Sequence, residues 1–126
     1  MAESAGVLVV EDNDALRLSY NAILRNAGYR VADAANGSEA LQHLRTADFD
    51  AVLLDIAMPV LNGLEMLDLL VDPPPVVLIT AREYDEQIIQ RRSKVLLYLQ
   101  KPVFPEVLLA SIAQAVSTEV ANEITL

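Results

Sequence analysis

The sequence predicts an α/β fold, a doubly wound three-layer sandwich around a parallel five-stranded sheet. Five short apolar runs, each four to six residues long and mostly rich in Val, Ile or Leu, recur along the 126 residues. Charges and turn formers bound them, as expected of strands buried on both faces. Stretches with apolar residues at helical spacing separate the runs. Strand and helix therefore alternate five times along the chain, and right-handed crossovers then put helices on both faces of one parallel sheet.

Gly6–Val10 is the first strand. Asp14–Asn26 follows as a helix, with Leu16, Tyr20, Ile23 and Leu24 at helical spacing and Gly28 as its stop. Tyr29–Ala34 is the second strand. Asn36-Gly37 is turn chemistry and leads into a helix over Ser38–Thr46, with Ala40, Leu41 and Leu44 facing inward. Ala51–Leu54 is the third strand, and Gly63–Val71 a short helix ended by Pro73-Pro74-Pro75, whose rings cannot continue it. Val76–Ile79, a helix over Tyr84–Lys94, the strand Val95–Leu99 and a helix over Pro105–Ser117 complete the pattern. Residues 6–117 form the expected domain, and the polar, weakly patterned Thr118–Leu126 reads as frayed helix or the start of a linker.

A chain that is 53% hydrophobic and 21% charged can pack a core, and its length suits one domain. No apolar run approaches the roughly 20 residues of a membrane helix. Met1–Gly6 carries Glu3 and no basic residue, so it does not read as a signal peptide. The absence of cysteine excludes disulfides, thiolate metal sites and thiol catalysis. These features point to a cytoplasmic protein without a membrane partner. With 18 acids against 9 bases and a net charge of −9, the chain is unsuited to binding a nucleic-acid backbone by itself. Five of the nine bases, Arg82, Arg91, Arg92, Lys94 and Lys101, lie between residues 82 and 101, so that region is less acidic than the rest. A single His and no Cys leave carboxylate oxygens as metal ligands, which favours a hard cation such as Mg²⁺ or Ca²⁺.

In open α/β sheets, ligands bind beyond the carboxyl ends of the strands. Glu11 and Asp12 follow the first predicted strand, Asp55 the third and Thr80 the fourth, while Lys101 stands just past the fifth. Three carboxylates, a hydroxyl and an ammonium thus converge on one edge. The carboxylates repel one another unless a cation neutralises them. A carboxylate can attack a phosphoryl group to form an acyl phosphate, and Mg²⁺, a lysine and a hydroxyl can stabilise the phosphoryl oxygens. The set reads as a Mg²⁺-dependent phosphoryl-acceptor site. Lys101 precedes Pro102, an X-Pro bond of the kind that can be cis.

The segments Val7-Leu8-Val9-Val10-Glu11-Asp12-Asn13, Leu53-Leu54-Asp55-Ile56-Ala57-Met58-Pro59-Val60-Leu61-Asn62-Gly63, Leu78-Ile79-Thr80-Ala81 and Tyr98-Leu99-Gln100-Lys101-Pro102 carry a resemblance. In that order and at that spacing they resemble the receiver domain of two-component response regulators, of the CheY-like kind. The resemblance implies a flavodoxin-like (βα)5 fold with strand order 2-1-3-4-5. It makes Asp55 the phosphoacceptor, loaded from a histidine kinase, a phosphotransfer protein or a small phosphodonor. It implies that Asp12 ligates Mg²⁺ directly, with Mn²⁺ as a substitute, that Glu11 acts mainly through water, and that Asp55 and the Ala57 backbone carbonyl complete the protein ligands. Thr80 would swing in to bond the phosphoryl group, Lys101 would pair with another of its oxygens, and Tyr98 matches the switch aromatic. The family's output surface is the fourth helix, fifth strand and fifth helix, through which a downstream protein or a second copy docks. Such a domain is a signalling switch, not an enzyme, although it assists its own phosphotransfer and dephosphorylation. Ala57 and Arg82 occupy the positions that modulate water access in the family. The Gly-Ala pair usual before the fifth strand is absent, with Lys94-Val95 about there.

Plainer readings exist for several of these residues. Glu11-Asp12-Asn13-Asp14 also suits an acidic turn with Asp14 capping the first helix. Tyr98 also suits a strand aromatic. Arg91, Arg92 and Lys94 read as a solvated helix face or a docking contact for an acidic partner, and His43 as a surface histidine. Three other functions compete: the receiver segment of a longer DNA-binding regulator, a degenerate receiver that binds partners without phosphorylation, and a flavodoxin-like electron carrier. The last needs a hydroxyl-rich phosphate cradle after the first strand, where Glu11-Asp12-Asn13-Asp14 would repel a phosphate.

Overall fold

Three apolar runs, Val7–Val10, Ala51–Leu54 and Val76–Ile79, are wholly buried, which fixes their strands at the middle of the sheet. The computed structural model describes residues 4–58 and 60–124, the side chains of 118–124 excepted. Strands β1 (Gly6–Val10), β2 (Arg30–Ala34), β3 (Ala51–Asp55), β4 (Val76–Thr80) and β5 (Leu97–Gln100) form one parallel sheet in the order β2-β1-β3-β4-β5. The order reverses between β1 and β3, and this switch point is where a ligand crevice forms in such sheets.

Side chains alternate across each strand, so the sheet has two apolar faces. Leu8, Val10, Val52, Leu54 and Leu78 pack against α2 (Gly37–Thr46), α3 (Gly63–Leu69) and α4 (Glu86–Ile89). Val7, Val9, Leu53, Val77 and Ile79 pack against α1 (Asp14–Asn26) and α5 (Pro105–Ile124). Each fully buried aliphatic side chain contributes about 1.5–3 kcal/mol. The edge strand β2 is only partly buried, with Arg30 exposed, so it departs from the expectation of burial on both faces.

The helix ends follow local chemistry. Asn13, and not Asp14, caps α1: its Oδ1 accepts the Leu16 N–H at 2.9 Å, while Asp14 pairs with Arg17. Past the end of α1, Gly28 takes the left-handed conformation at φ 99° that a side chain would resist. Asn36 caps α2 through the Glu39 N–H. Gly37 is more than turn chemistry, because its N–H donates to the Leu61 carbonyl at 3.1 Å and ties α2 to the loop before α3. Asn62 and Glu65 form a reciprocal capping box at the start of α3.

Three expected elements differ. The predicted helix over Tyr84–Lys94 is a single α turn, Glu86–Ile89, followed by a 3₁₀ turn over Arg92–Lys94. Only Ile88 anchors it in the core, and the cations beyond bend toward α3 instead of continuing the helix. Arg91 pairs with Asp68, its Nε and Nη2 at 2.8 and 2.9 Å from the two carboxylate oxygens. The Lys94 ammonium donates to the Leu67 and Leu70 carbonyls at 2.8 and 3.0 Å, capping the last turn of α3. Arg91 and Lys94 are therefore occupied within the chain, and Arg92 alone of that trio stays outward and exposed. The 3₁₀ turn uses Val95 as its C-cap, so β5 starts at Leu97, two residues later than predicted. The third helix ends at Leu69, two residues early, where Lys94 takes its carbonyls.

Helix α5 runs on to Ile124, since no Gly or Pro follows Pro105 to stop it. The side chains of the segment read as a tail, and residues 1–3 of the segment read for a leader, lie outside the described residues. So does Pro59. Among the described residues no helix is long and apolar enough to cross a membrane.

Candidate functional site

The parallel register delivers the polar residues to one edge. β1 runs out after Val10, and Glu11 and Asp12 follow directly; β3 ends on Asp55 itself, paired with Ile79; β4 ends on Thr80, paired with Gln100. Carboxylate oxygens of Glu11, Asp12 and Asp55 lie within 4.8 Å of one another. Glu11 and Asp55 are buried and Asp12 sits exposed at the rim. Lys101, brought in by β5, joins the two buried acids: its Nζ is 2.7 Å from Glu11 Oε1 and 3.3 Å from Asp55 Oδ2.

Three carboxylates facing one ammonium leave excess negative charge in a partly desolvated pocket. Desolvation and the adjacent Glu11 carboxylate hold the Asp12 carboxyl above its ordinary pKa. Burial disfavours the Lys101 ammonium, but its hydrogen bond to Glu11 and the charges of Asp55 and Glu11 outweigh that and keep its pKa above the usual lysine value. An all-oxygen, strongly anionic cluster fits a hard divalent cation, with Glu11, Asp12 and Asp55 as the donors.

Neighbouring groups fix the cluster. The Glu11 Oε2 accepts the Asn13 N–H at 3.2 Å. Ala57 donates its N–H to Asp55 Oδ1 across 3.4 Å, which sets its peptide beside the carboxylate. Lys101 donates its N–H to the Thr80 carbonyl at 2.7 Å, and the Lys101-Pro102 peptide is cis. Thr80 is fully buried and its Oγ1 accepts the Arg82 N–H at 3.1 Å. The Tyr98 hydroxyl donates to the Arg82 carbonyl, and its ring meets Tyr84 edge-on at 5.0 Å. The Arg82 guanidinium bonds Asp85 and Gln87.

Glu11, Asp12, Asp55, Ala57, Thr80 and Lys101 thus stand at or beside this edge, with Thr80 and Tyr98 joined through the chain around Arg82. His43 does not join them: it is half-buried, edge-on to Phe49. One contributor escaped the sequence reading, and another, Gly63, was read there as part of a motif without its steric reason. Arg17 donates to the Glu11 carbonyl at 2.9 Å and ties the acidic loop to α1; its place one turn after the acids was the only signal. Gly63 is needed sterically, because a Cβ there would lie 2.4 Å from the Asp55 carbonyl oxygen.

A cleft of about 480 Å³ opens beside Lys101, lined by Leu16, Tyr20, Ile23, Pro102 and Val103. A larger cavity of about 950 Å³ lies between Phe49, Leu70, Pro74 and Leu96 and shares no residue with the carboxylate cluster.

A family model described as the response regulator receiver domain matches residues 7–113. Transcriptional regulatory protein AfsQ1 of Streptomyces coelicolor is 36% identical over 109 residues, 84% of this chain and 48% of that protein. Protein PilH of Pseudomonas aeruginosa is 32% identical over 114 residues, 86% of this chain and 94% of that protein. This chain spans about half the length or less of most of the curated relatives ranked beside AfsQ1, and nearly all of PilH. Among solved structures, a CheY-like receiver domain protein from Methanospirillum hungatei superposes with a TM-score of 0.88 at 27% identity, covering 94% of this chain and 98% of that one. CheY4 of Vibrio cholerae gives 0.81 at 30% identity, covering 89% and 98%.

Proposed function

The chain belongs to the response regulator receiver domain family of two-component signalling, and from that premise we propose that Asp55 accepts a phosphoryl group and so switches a protein-contact surface. The observation that carries this reading is the joining of two buried carboxylates, Glu11 and Asp55, on one lysine, with Asp12 beside them at the switch point of the sheet.

An Asp55 carboxylate oxygen attacks phosphorus, and the P–N bond to the donor imidazole of a histidine kinase or phosphotransfer protein breaks. The imidazole keeps the electron pair and takes a proton from solvent, leaving an aspartyl phosphate. Lys101 offsets charge on the incoming oxygens, and Thr80 supplies a hydroxyl donor to one of them. Glu11, Asp12, Asp55 and the Ala57 carbonyl would hold Mg²⁺, or Mn²⁺ in its place, which when bound neutralises the carboxylates and the phosphoryl oxygens. Ala57 has no polar side chain to orient an attacking water.

The output runs through α4, β5 and α5 to a downstream protein or a second copy, in the cytoplasm where kinases present phosphohistidine. A second reading, the receiver segment of a longer transcriptional regulator, is favoured by the likeness to AfsQ1, of which this chain spans 48%. The mass of the native polypeptide in its source cells separates the two. Borohydride trapping tests the acceptor: after treatment with acetyl phosphate, reduction should convert residue 55 alone to homoserine, and conversion elsewhere or nowhere contradicts the assignment.

A further inference from the structure

β4 ends on Thr80, and two residues later Arg82 makes contacts in three directions. Its N–H donates to Thr80 Oγ1 at 3.1 Å, and its carbonyl accepts the Tyr98 hydroxyl. Its guanidinium holds Asp85 Oδ2 at 2.6 Å through both Nε and Nη2, and Gln87 Oε1 at 2.7 Å. Asp85 has a second duty. Its other oxygen accepts the Ile88 N–H at 3.1 Å and caps α4.

A helix of four residues has no stability of its own, so α4 depends on that cap and on the buried Ile88. One carboxylate therefore places both the first turn of α4 and the side chain of Arg82. The Arg82 backbone in turn lies between the Thr80 hydroxyl and the Tyr98 phenol, one bond on its N–H and one on its C=O. Thr80 Oγ1 accepts from Arg82, which leaves its own hydroxyl proton for another acceptor. Tyr84, against which the Tyr98 ring packs, belongs to the same segment between Arg82 and Asp85.

We propose that Arg82, latched onto Asp85 and Gln87, is a positioning residue that holds the Thr80 hydroxyl, Tyr98 and α4 in one register and thereby sets how readily the Asp55 site binds a phosphoryl group. The proposal rests on the reading of Asp55 as acceptor. With the latch broken, the Arg82 peptide loosens and the two bonds on it weaken together. Binding at Asp55 must then order the loop first, and apparent affinity falls by the fraction of chains already ordered. Arg82 and Asp85 side chains are 36% and 38% exposed, so the latch is a weak one and the effect is a few-fold.

Beryllofluoride, a phosphoryl mimic, can be titrated with Mg²⁺ into protein labelled with 3-fluorotyrosine, the Tyr98 resonance being assigned with Tyr98→Phe. Arg82→Ala should weaken beryllofluoride binding about three- to fivefold and shift or broaden the Tyr98 resonance before any ligand is added. Gln87→Ala, at an exposed position, should do the same to a smaller degree without touching the core. Arg82→Lys keeps the charge but cannot hold both partners, and should restore only part of the affinity. Unchanged affinity and an unmoved Tyr98 resonance in Arg82→Ala and Gln87→Ala would overturn the proposal. Weaker binding with an unmoved resonance would overturn it too, and so would full restoration by Arg82→Lys, since either reduces Arg82 to a local charge. Failure of the parent protein to bind beryllofluoride would contradict the acceptor reading instead, and the Tyr98 resonance of the free variants would then decide on the latch alone.

Discussion

Lys101 and Glu11, 90 positions apart in sequence, meet with Nζ 2.7 Å from Oε1, and Glu11 is only 1% exposed. The same ammonium reaches Asp55, so one cation compensates two buried anions. Lys101→Met leaves both uncompensated, which should lower stability by about 3 kcal/mol without metal, read by urea unfolding in EDTA. On the proposed acceptor role of Asp55, the same change also removes a donor to the phosphoryl oxygens and should slow phosphoryl uptake about 100-fold. A variant as stable and as fast as the parent would show that the lysine is merely adjacent.

Gly63 presses the start of α3 against the end of β3. An added Cβ would lie 2.4 Å from the Asp55 carbonyl oxygen and 2.9 Å from Ile56 Cα, both backbone atoms that cannot step aside. Gly63→Ala should cost about 1–3 kcal/mol through overpacking. Moving the Asp55 backbone should also slow phosphorylation about tenfold or more, since reactivity is sensitive to small displacements. Thermal unfolding and the rate of acyl phosphate formation check the two effects separately.

Mg²⁺ should stabilise the folded chain by about 2.7 kcal/mol at 100 times its dissociation constant, and EDTA should reverse that. Asp12 supplies the sign of the pH effect without metal. Its folded pKa lies above the ordinary aspartate value of 3.8, so its contribution is present below that pH and is lost as pH rises through the raised value. Asp12→Asn should therefore be more stable than the parent in EDTA at neutral pH and gain less from Mg²⁺. Melting curves at pH 4 and pH 7, with and without Mg²⁺, test both statements.

Asp68 behaves in the opposite sense. Its hydrogen bonds from Arg91 hold its carboxyl below the ordinary aspartate value of 3.8, so the stability it contributes is present above that pH and is lost as pH falls through the lowered value. The pair is exposed and largely screened, worth less than about 1 kcal/mol. Asp68→Asn should lower the melting temperature by about 2–4 °C at pH 7 and by nothing at a pH where Asp68 is protonated. An equal loss at both pH values would mean that packing, not the ion pair, joins α3 to the 3₁₀ turn.

The central strands and the carboxylate cluster were legible in the sequence for a physical reason. Val7–Val10 and Ala51–Leu54 are buried on both faces, and burial enforces an unbroken apolar run; the acids that follow such runs must then emerge at one sheet edge. Residues 86–97 were not legible. Ile88 is the one buried residue of its helical part, 86–94, so no periodicity separates one helical turn from three, and its shape is set by Arg91 and Lys94 reaching to α3 across more than 20 positions. The cap of α1 was misplaced by one residue because Asn13 and Asp14 carry equally suitable oxygens. The need for Gly63 was hidden because it arises from the Asp55 backbone eight positions away.

Asp55 is proposed to take a phosphoryl group with the help of the cluster around it. The most direct measurement is intact mass after incubation with Mg²⁺ and acetyl phosphate, the parent beside Asp55→Asn. A single phosphoryl adduct on the parent, suppressed by EDTA and absent from Asp55→Asn, is the expected result. An adduct that persists in Asp55→Asn or forms without a divalent cation would contradict it, as would no adduct together with no binding of beryllofluoride.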